Sequence, residues 1–299
     1  MELKNRINIF ISSLSLVEKI IVLNIVIYII PFILNTFLFL FNVKNLDILS
    51  WFTIDADLSK LIFKPWSFIT YGFLHGSFSH IFWNMIILYY FGKILNNLFG
   101  DKLFKNLYLS GIVIGGLTYV LSYNVFPAFN GVDSVMIGAS AGVMSVLFYL
   151  ASYNPQRIIR IFFFDVKIIY IALFLFLYDI IQIPINNSGG HIAHIGGAVW
   201  GYYYCIRYNK GQDLVKSFFK NFKNNKTSND TITNDKRSSN FEQKRIDSIL
   251  DKISDSGYDS LSKSDKEYLF KVGKNKNKYY VNILQFFVEN YLIISHLIF

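Results

Sequence analysis

A serine among small residues opens an apolar helix near the middle of the chain. Ser140 lies within residues 137–143, and the apolar sequence after it continues to Asn154. At about 1.5 Å per residue, Ser140 lies roughly 21 Å along the helix from Asn154, less than the ~30 Å thickness of a hydrocarbon core. We therefore expect Ser140 below a membrane surface, in protein or in a water-filled cavity. Most such hydroxyls bond their own backbone, so the serine needs partners at its depth to carry a function.

An imidazole and an amide are predicted at the same depth on two other helices. His194 lies about 20 Å along its helix from Arg207, and Asn84 lies about 20 Å from Asn97. Polar side chains at such depth are costly and mark functional sites. A hydroxyl beside an imidazole is the arrangement of a nucleophile and its base. His80 is four residues before Asn84, so one helix face offers two N–H donors for an oxyanion.

Small residues suggest how the serine and histidine helices approach each other. Gly138 and Gly142 form one GxxxG step, and Gly197 and Gly201 form another. Glycines at this spacing let helix backbones pack closely. If the two helices pack through these faces, the hydroxyl and the imidazole come within hydrogen-bonding reach.

Other ionisable groups leave two alternatives open. Asp179 is the only acid within a predicted span; we expect it to make a helix-end or loop contact, which leaves the base without a carboxylate partner. His191 and His194 could instead bind a metal, with His75 or His80 as a third ligand. Because no carboxylate or thiolate lies beside them in the sequence, we expect no metal and no cofactor. His191 is otherwise interpreted as a cap or a substrate-side group, and His75 as a loop donor.

The composition is that of a membrane protein. Hydrophobic residues make up 53% of the chain and charged residues 16%, with a mean hydropathy of +0.36, which few soluble domains combine. The formal charge of +9 lies mostly in loops and the tail, so it indicates topology and not nucleic-acid binding. The single cysteine excludes an internal disulfide. No Walker loop, GxGxxG or HExxH motif occurs.

Apolar runs predict an all-α, polytopic membrane domain of six spanning helices. The predicted spans are 20–41, 69–98, 103–121, 140–153, 168–183 and 192–208. The loops at 93–105 and 157–167, the N-terminus and the sequence after Arg207 are basic, whereas the connections 124–133 and 184–190 contain no Lys or Arg. The positive-inside rule therefore places the N-terminus and the start of the tail in the cytoplasm. The aromatic-rich connection 42–66 is longer than an ordinary loop, which suggests a function or membrane contact of its own.

Four further regions flank the predicted membrane domain of residues 20–208. Residues 1–19 form a cytoplasmic N-terminus. Residues 209–240, rich in Lys, Asn, Ser and Thr, have the composition of a flexible linker. An amphipathic pattern predicts a small cytoplasmic helical hairpin at 241–278. The apolar segment 279–299 contains a charge, which favours an interfacial or docked helix over a seventh span.

The motifs together resemble the signature of the rhomboid intramembrane serine proteases. They are Gly138-x-Ser140, His80-x-x-x-Asn84, Ala193-His194-x-x-Gly197-x-x-x-Gly201, Pro65-Trp66 and the run 73–77 that leads into His80. The resemblance covers roughly residues 20–208. It implies a six-helix, rhomboid-like bundle of the bacterial type, with Ser140 as nucleophile, His194 as base, and His80 and Asn84 on the oxyanion side.

The resemblance also implies a function and a location. We expect a multi-pass protein of the cell membrane that cleaves transmembrane protein substrates near the outer face of the bilayer. Two positions depart from the family pattern: Ala141 stands where many members have Gly, and Met144 stands where an aromatic residue often stacks on the histidine. The alternatives are a non-catalytic rhomboid-like protein that recognises or escorts transmembrane proteins and, third, a metal-dependent enzyme or transporter. The sequence gives no oligomeric state.

Overall fold

The structure is a computed structural model, and it describes residues 2–43, 48–161, 163–218, 248–249, 252–253 and 261–268. The chain divides into two compact units, Met1–Lys223 and Asn224–Phe299. The helices of the first unit are α1 (Glu2–Ser13), α2 (Leu16–Leu40), α3 (Leu58–Leu61), α4 (Ser67–Thr70), α5 (Phe78–Val125), α6 (Ser140–Tyr153), α7 (Ile168–Gln182) and α8 (Ser188–Asn209). Its strands are β1 (Ile54–Asp55), β2 (Val135–Met136), β3 (Ile158–Ile161) and β4 (Phe164–Lys167).

Helix α2 begins four residues before the predicted span because a capping box forms there. The Ser15 hydroxyl accepts the Glu18 N–H, and the Glu18 carboxylate accepts the Ser15 N–H. Lys93 of α5 donates to Glu18 Oε1 at 3.0 Å and to Ser15 Oγ at 3.2 Å. The cap therefore also ties the start of α2 to α5.

Helix α5 contains most of the second predicted span and all of the third, separated at Gly100. Its φ of 79° and ψ of 172° are not helical, and a glycine adopts them without steric cost. This break falls in the predicted basic connection. The second span was expected from residue 69, but α5 begins only at Phe78, because the Ser77 hydroxyl accepts the His80 N–H and caps the helix.

Two helices of the described residues are long and apolar enough to cross a membrane, α2 and α5. Helices α6 and α7 are apolar but shorter, at 14 and 15 residues. The six-span arrangement therefore stays a prediction. Helices α5, α6 and α8 pack against one another, α2 packs on α5, and α7 packs on α8.

Two short antiparallel strand pairs add to the predicted all-α fold. Strand β1, within the connection 42–66, pairs with β2, with Ile54 opposite Met136. Strands β3 and β4 form a hairpin, in which Arg160 and Asp165 make a bidentate ion pair. The guanidinium group lowers the pKa of the Asp165 carboxyl.

A buried ion pair fixes the connection 42–66. Lys64 Nζ contacts Asp55 Oδ2, with side-chain exposures of 13% and 5%, and it also donates to Ser50 O at 2.8 Å. In contrast, Lys60 and Asp133 form an exposed pair, with side-chain exposures of 46% and 75%. Only the Lys64–Asp55 pair is buried, so removing one partner would leave the other as an uncompensated buried charge.

The second unit is described in short segments. Ile249 and Leu261 form a small apolar cluster, and Ile253 and Tyr268 pack against it. The predicted hairpin at 241–278 stays a prediction. The predicted linker 209–240 is described only to residue 218, and the apolar segment 279–299 lies outside the described residues.

The two ion pairs give a matched stability test. Lys64→Met should lower the free energy of unfolding by about 3–5 kcal/mol, because it leaves the Asp55 carboxylate buried without its partner. Lys60→Met should leave it almost unchanged, because solvent screens an exposed pair. Unfolding by SDS titration from mild detergent micelles measures both. Equal effects of the two variants would contradict this account of the Lys64 pair.

Candidate active site

Ser140 is the first residue of α6, and the loop before it is held by backbone hydrogen bonds. The β1–β2 pair ends at Met136, and the Gly138 N–H donates to Tyr71 O at 2.9 Å. Gly138 has a φ of 132°, and a Cβ there would lie 2.7 Å from His80 Nε2 and 3.5 Å from Ser140 Oγ. Glycine is therefore required at position 138 for two reasons: its backbone conformation and its close approach to His80.

The residues next to Ser140 and His194 meet at one glycine of α5. A Cβ at Gly115 would overlap Ala141 Cβ and would lie 3.0 Å from Ala193 O. Ala141 follows Ser140 directly, and Ala193 precedes His194 directly. The fold therefore brings the serine end of α6 and the histidine turn of α8 to one point on α5.

Gly197 and Gly201 of α8 lie directly on the α6 backbone. A Cβ at Gly197 would overlap Ala141 O, and a Cβ at Gly201 would overlap Ser145 O. No side chain separates the two helices there, which is what small residues at this spacing permit.

The other two glycines of the expected interface lie elsewhere, which corrects that part of the prediction. Gly142 faces Tyr108 of α5, whose ring would be 2.8 Å from a Cβ. Gly138 belongs to the loop beside His80. Helix α6 therefore presents Ala141 and Ser145 to α8, a face rotated by one residue, or about 100°, from the one expected.

Asp179 of α7 contacts both histidines of α8, a contact that the sequence pattern does not predict. Its Oδ1 lies 2.8 Å from His194 Nδ1 and 2.7 Å from His191 Nδ1. His191 and His194 are three residues apart and share a helix face, with ring centroids 5.7 Å apart. The expectation that the base has no carboxylate partner is therefore corrected. The signal was present in the sequence, since Asp179 is the only acid within a predicted span.

His80, in the first turn of α5, lies beside Gly138, and Asn84 follows one turn later. Asn84 is buried, and its Nδ2 donates to His80 O at 3.0 Å, one turn earlier. An amide nitrogen carries two hydrogens, so one remains. His75 packs edge-on against His80, with ring centroids 5.0 Å apart.

Among the described residues, Ser140 and His194 make no hydrogen bond with each other. Both side chains are partly buried. Catalytic hydrogen bonds are often long without substrate and tighten when it binds. The backbone contacts at Gly115 and Gly197 bring the two helices together.

A metal would take ligands different from those expected. In the described part of the chain, Asp179, His191 and His194 are the cluster whose ligand atoms all lie within 4.8 Å of one another; His75 and His80 pair separately. The separations of 2.7 and 2.8 Å to the carboxylate oxygen are those of hydrogen bonds. The residues therefore satisfy one another as they stand.

The first unit is thus a bundle of apolar helices that carries Ser140 near the cluster of Asp179, His191 and His194. A model of the rhomboid domain matches residues 63–210, and the chain belongs to the rhomboid family. Residues 229–275 match a second family, DUF6576, a family of unknown function.

Several relatives share this domain. The chain is 30% identical to RHOMBOID-like protein 12, mitochondrial, of Arabidopsis thaliana over 156 residues, which are 48% of this chain and 46% of that protein. It is 30% identical to presenilin-associated rhomboid-like protein, mitochondrial, of Bos taurus over 195 residues, 60% and 47% of the two chains. Rhomboid-related protein 1 of Caenorhabditis elegans is 30% identical over 176 residues, 54% and 45%. The chain thus spans about half the length of these relatives.

The glycine contacts predict a sharp steric effect. Gly197→Ala should lower the free energy of unfolding by at least about 1–3 kcal/mol, because the added methyl meets the backbone of Ala141, which cannot rotate away. Gly76→Ala is the control, since a Cβ there would lie 3.4 Å from Ile137 Cδ1, an ordinary contact. SDS titration of both variants is the measurement, and a neutral Gly197→Ala would refute the close packing of α6 and α8.

Proposed function

We propose that this protein is an intramembrane serine endopeptidase that cleaves transmembrane segments with Ser140 as nucleophile and His194 as base. The observation that carries the proposal is the convergence on Gly115 of Ala141 and Ala193, the residues next to Ser140 and His194 in the chain. Rhomboid family membership supports the same reaction class.

The reaction would follow the general course of acyl transfer. Ser140 Oγ attacks the scissile carbonyl carbon while its proton passes to His194 Nε2. The C–N bond then breaks and the imidazolium returns the proton to the leaving amine. Water, activated by the same imidazole, hydrolyses the acyl-enzyme and frees Ser140.

Donors around the Ser140 loop can stabilise the oxyanion. The Ser140 N–H lies in the first turn of α6 and has no intrahelical partner. His80 lies beside Gly138, and Asn84 keeps one amide hydrogen. Three such donors aimed at one oxygen would stabilise developing charge where water is excluded.

The depth of the site selects the substrate. A peptide bond in an intact helix has its carbonyl bonded and shielded, so a substrate helix must unwind before Ser140 can reach it. Unwinding in lipid costs several kcal/mol for each unpaired backbone group, and it is tolerable where a polar pocket accepts those groups. We propose six spans, a cell-membrane location with cytoplasmic N-terminus and tail, and cleavage near the outer face.

Serine and histidine variants test the proposal directly. With purified protein and a model transmembrane substrate, Ser140→Ala and His194→Ala should each abolish cleavage, because no nucleophile or no base remains. Ser152→Ala is the control, since that hydroxyl lies in the same helix and donates only to Phe148 O. Substantial turnover by Ser140→Ala would instead favour a non-catalytic protein that binds transmembrane segments.

Oxyanion donors should affect the rate more than binding. Asn84→Ala or His80→Ala should lower kcat by about 10²–10³-fold, equal to about 2.7–4 kcal/mol, with little change in KM, because the donor acts in the transition state. Steady-state kinetics on a substrate series would separate the two constants. A change confined to KM would make these residues substrate contacts.

A further inference from the structure

One carboxylate oxygen receives two imidazole nitrogens at the edge of the candidate site. Asp179 Oδ1 lies within hydrogen-bonding distance of His191 Nδ1 and of His194 Nδ1. Asp179 is 3% exposed and His191 is 7% exposed. A buried carboxylate needs donors to compensate for lost water, and here both donors come from one face of α8.

This arrangement determines where the protons lie. An ionised carboxylate oxygen only accepts, so each Nδ1 in contact with it must carry a hydrogen. A neutral imidazole has one N–H, so Nε2 of each ring is then an unprotonated acceptor. For His194, this is the tautomer that can take a proton from Ser140.

We infer that Asp179 is a positioning residue for His194, and that His191 holds Asp179 in place for this role. The inference rests on the proposed function and deepens it: the base is oriented by a carboxylate and is not a solitary histidine. The carboxylate fixes the ring orientation and the tautomer of His194.

The same contact continues to act during the reaction. When the Ser140 proton moves to His194 Nε2, the ring becomes an imidazolium with both nitrogens protonated. Asp179 keeps its charge and faces the new cation through Nδ1–H, so the proton does not pass on to the carboxylate. When the leaving amine takes the proton from Nε2, the neutral ring returns to its starting tautomer.

The kinetic test uses variants that preserve shape. Asp179→Asn should lower kcat by tenfold or more, with KM within about twofold, because a positioned base matters in the transition state and not in substrate binding. Labelling of Ser140 by a small fluorophosphonate should slow by a similar factor, because this reagent also needs the activated hydroxyl. Asp213→Asn is the control; it removes the same charge from a carboxylate that, among the described residues, accepts from Tyr204 and Lys216.

His191 can be tested separately. His191→Asn keeps a donor at the δ position and should retain most of the activity. His191→Phe keeps the ring shape without a donor and should lose part of kcat. Equal activities of the two variants would remove His191 from the positioning role.

A spectroscopic signature distinguishes positioning from general stability. In NMR spectra of protein with ¹⁵N-labelled histidine, the His194 signal should show a protonated Nδ1 and an unprotonated Nε2 in the wild type. The chain has 5 histidines, so the His194→Ala spectrum assigns the signal. In Asp179→Ala, which has no acceptor at this position, His194 should instead show a mixture of tautomers.

The outcomes separate this inference from the proposed function. If Ser140→Ala still cleaves, the proposed function fails. If Ser140→Ala is inactive while Asp179→Asn keeps wild-type kcat and Asp179→Ala keeps the wild-type tautomer, the inference alone fails. Lower kcat with unchanged KM, together with the tautomer mixture, supports it.

Discussion

The fold of the first unit depends on direct backbone contact between α6 and α8. At Gly197 and Gly201, the α8 backbone touches Ala141 and Ser145 with no side chain between. Helices in a bilayer gain little from the hydrophobic effect when they associate, so van der Waals contact at small residues must supply the attraction. The contact begins one residue after Ser140 and three residues after His194, so the packing interface and the candidate site are parts of one arrangement.

The long connection 42–66 packs against the loop that precedes Ser140 and helps to fix its position. It supplies β1 to pair with β2, and its Lys64–Asp55 ion pair is buried. Tyr71, which follows the connection, accepts the Gly138 N–H with its carbonyl and donates its hydroxyl to Ile112 O at 2.6 Å. The backbone before Ser140 is thus bound to strand β1 and to the backbone carbonyl of Tyr71, whose side chain is anchored on α5.

Sequence patterns predicted where most helices lie along the chain, but not which face of each helix contacts which neighbour. Apolar runs and loop charges place helix boundaries because burial and lipid solvation act on every residue of a run. A GxxxG pair shows that a helix can pack closely, but it does not say against which neighbour, and Gly142 faces α5 and not α8. Asp179 is 15 residues from His194; their meeting depends on how α7 packs on α8, which no local pattern encodes. The start of α5 was misplaced because one capping serine outweighed an apolar run.

Helix α6 is short, and its surroundings make that length tolerable. Of its 14 residues, ten are buried, because neighbouring helices enclose it. Hydrophobic mismatch is a cost paid where a helix faces lipid, through tilting or through local thinning of the bilayer. A helix enclosed by protein is free of that cost. The position of Ser140 relative to α5 and α8 is therefore set by protein packing and not by lipid chain length.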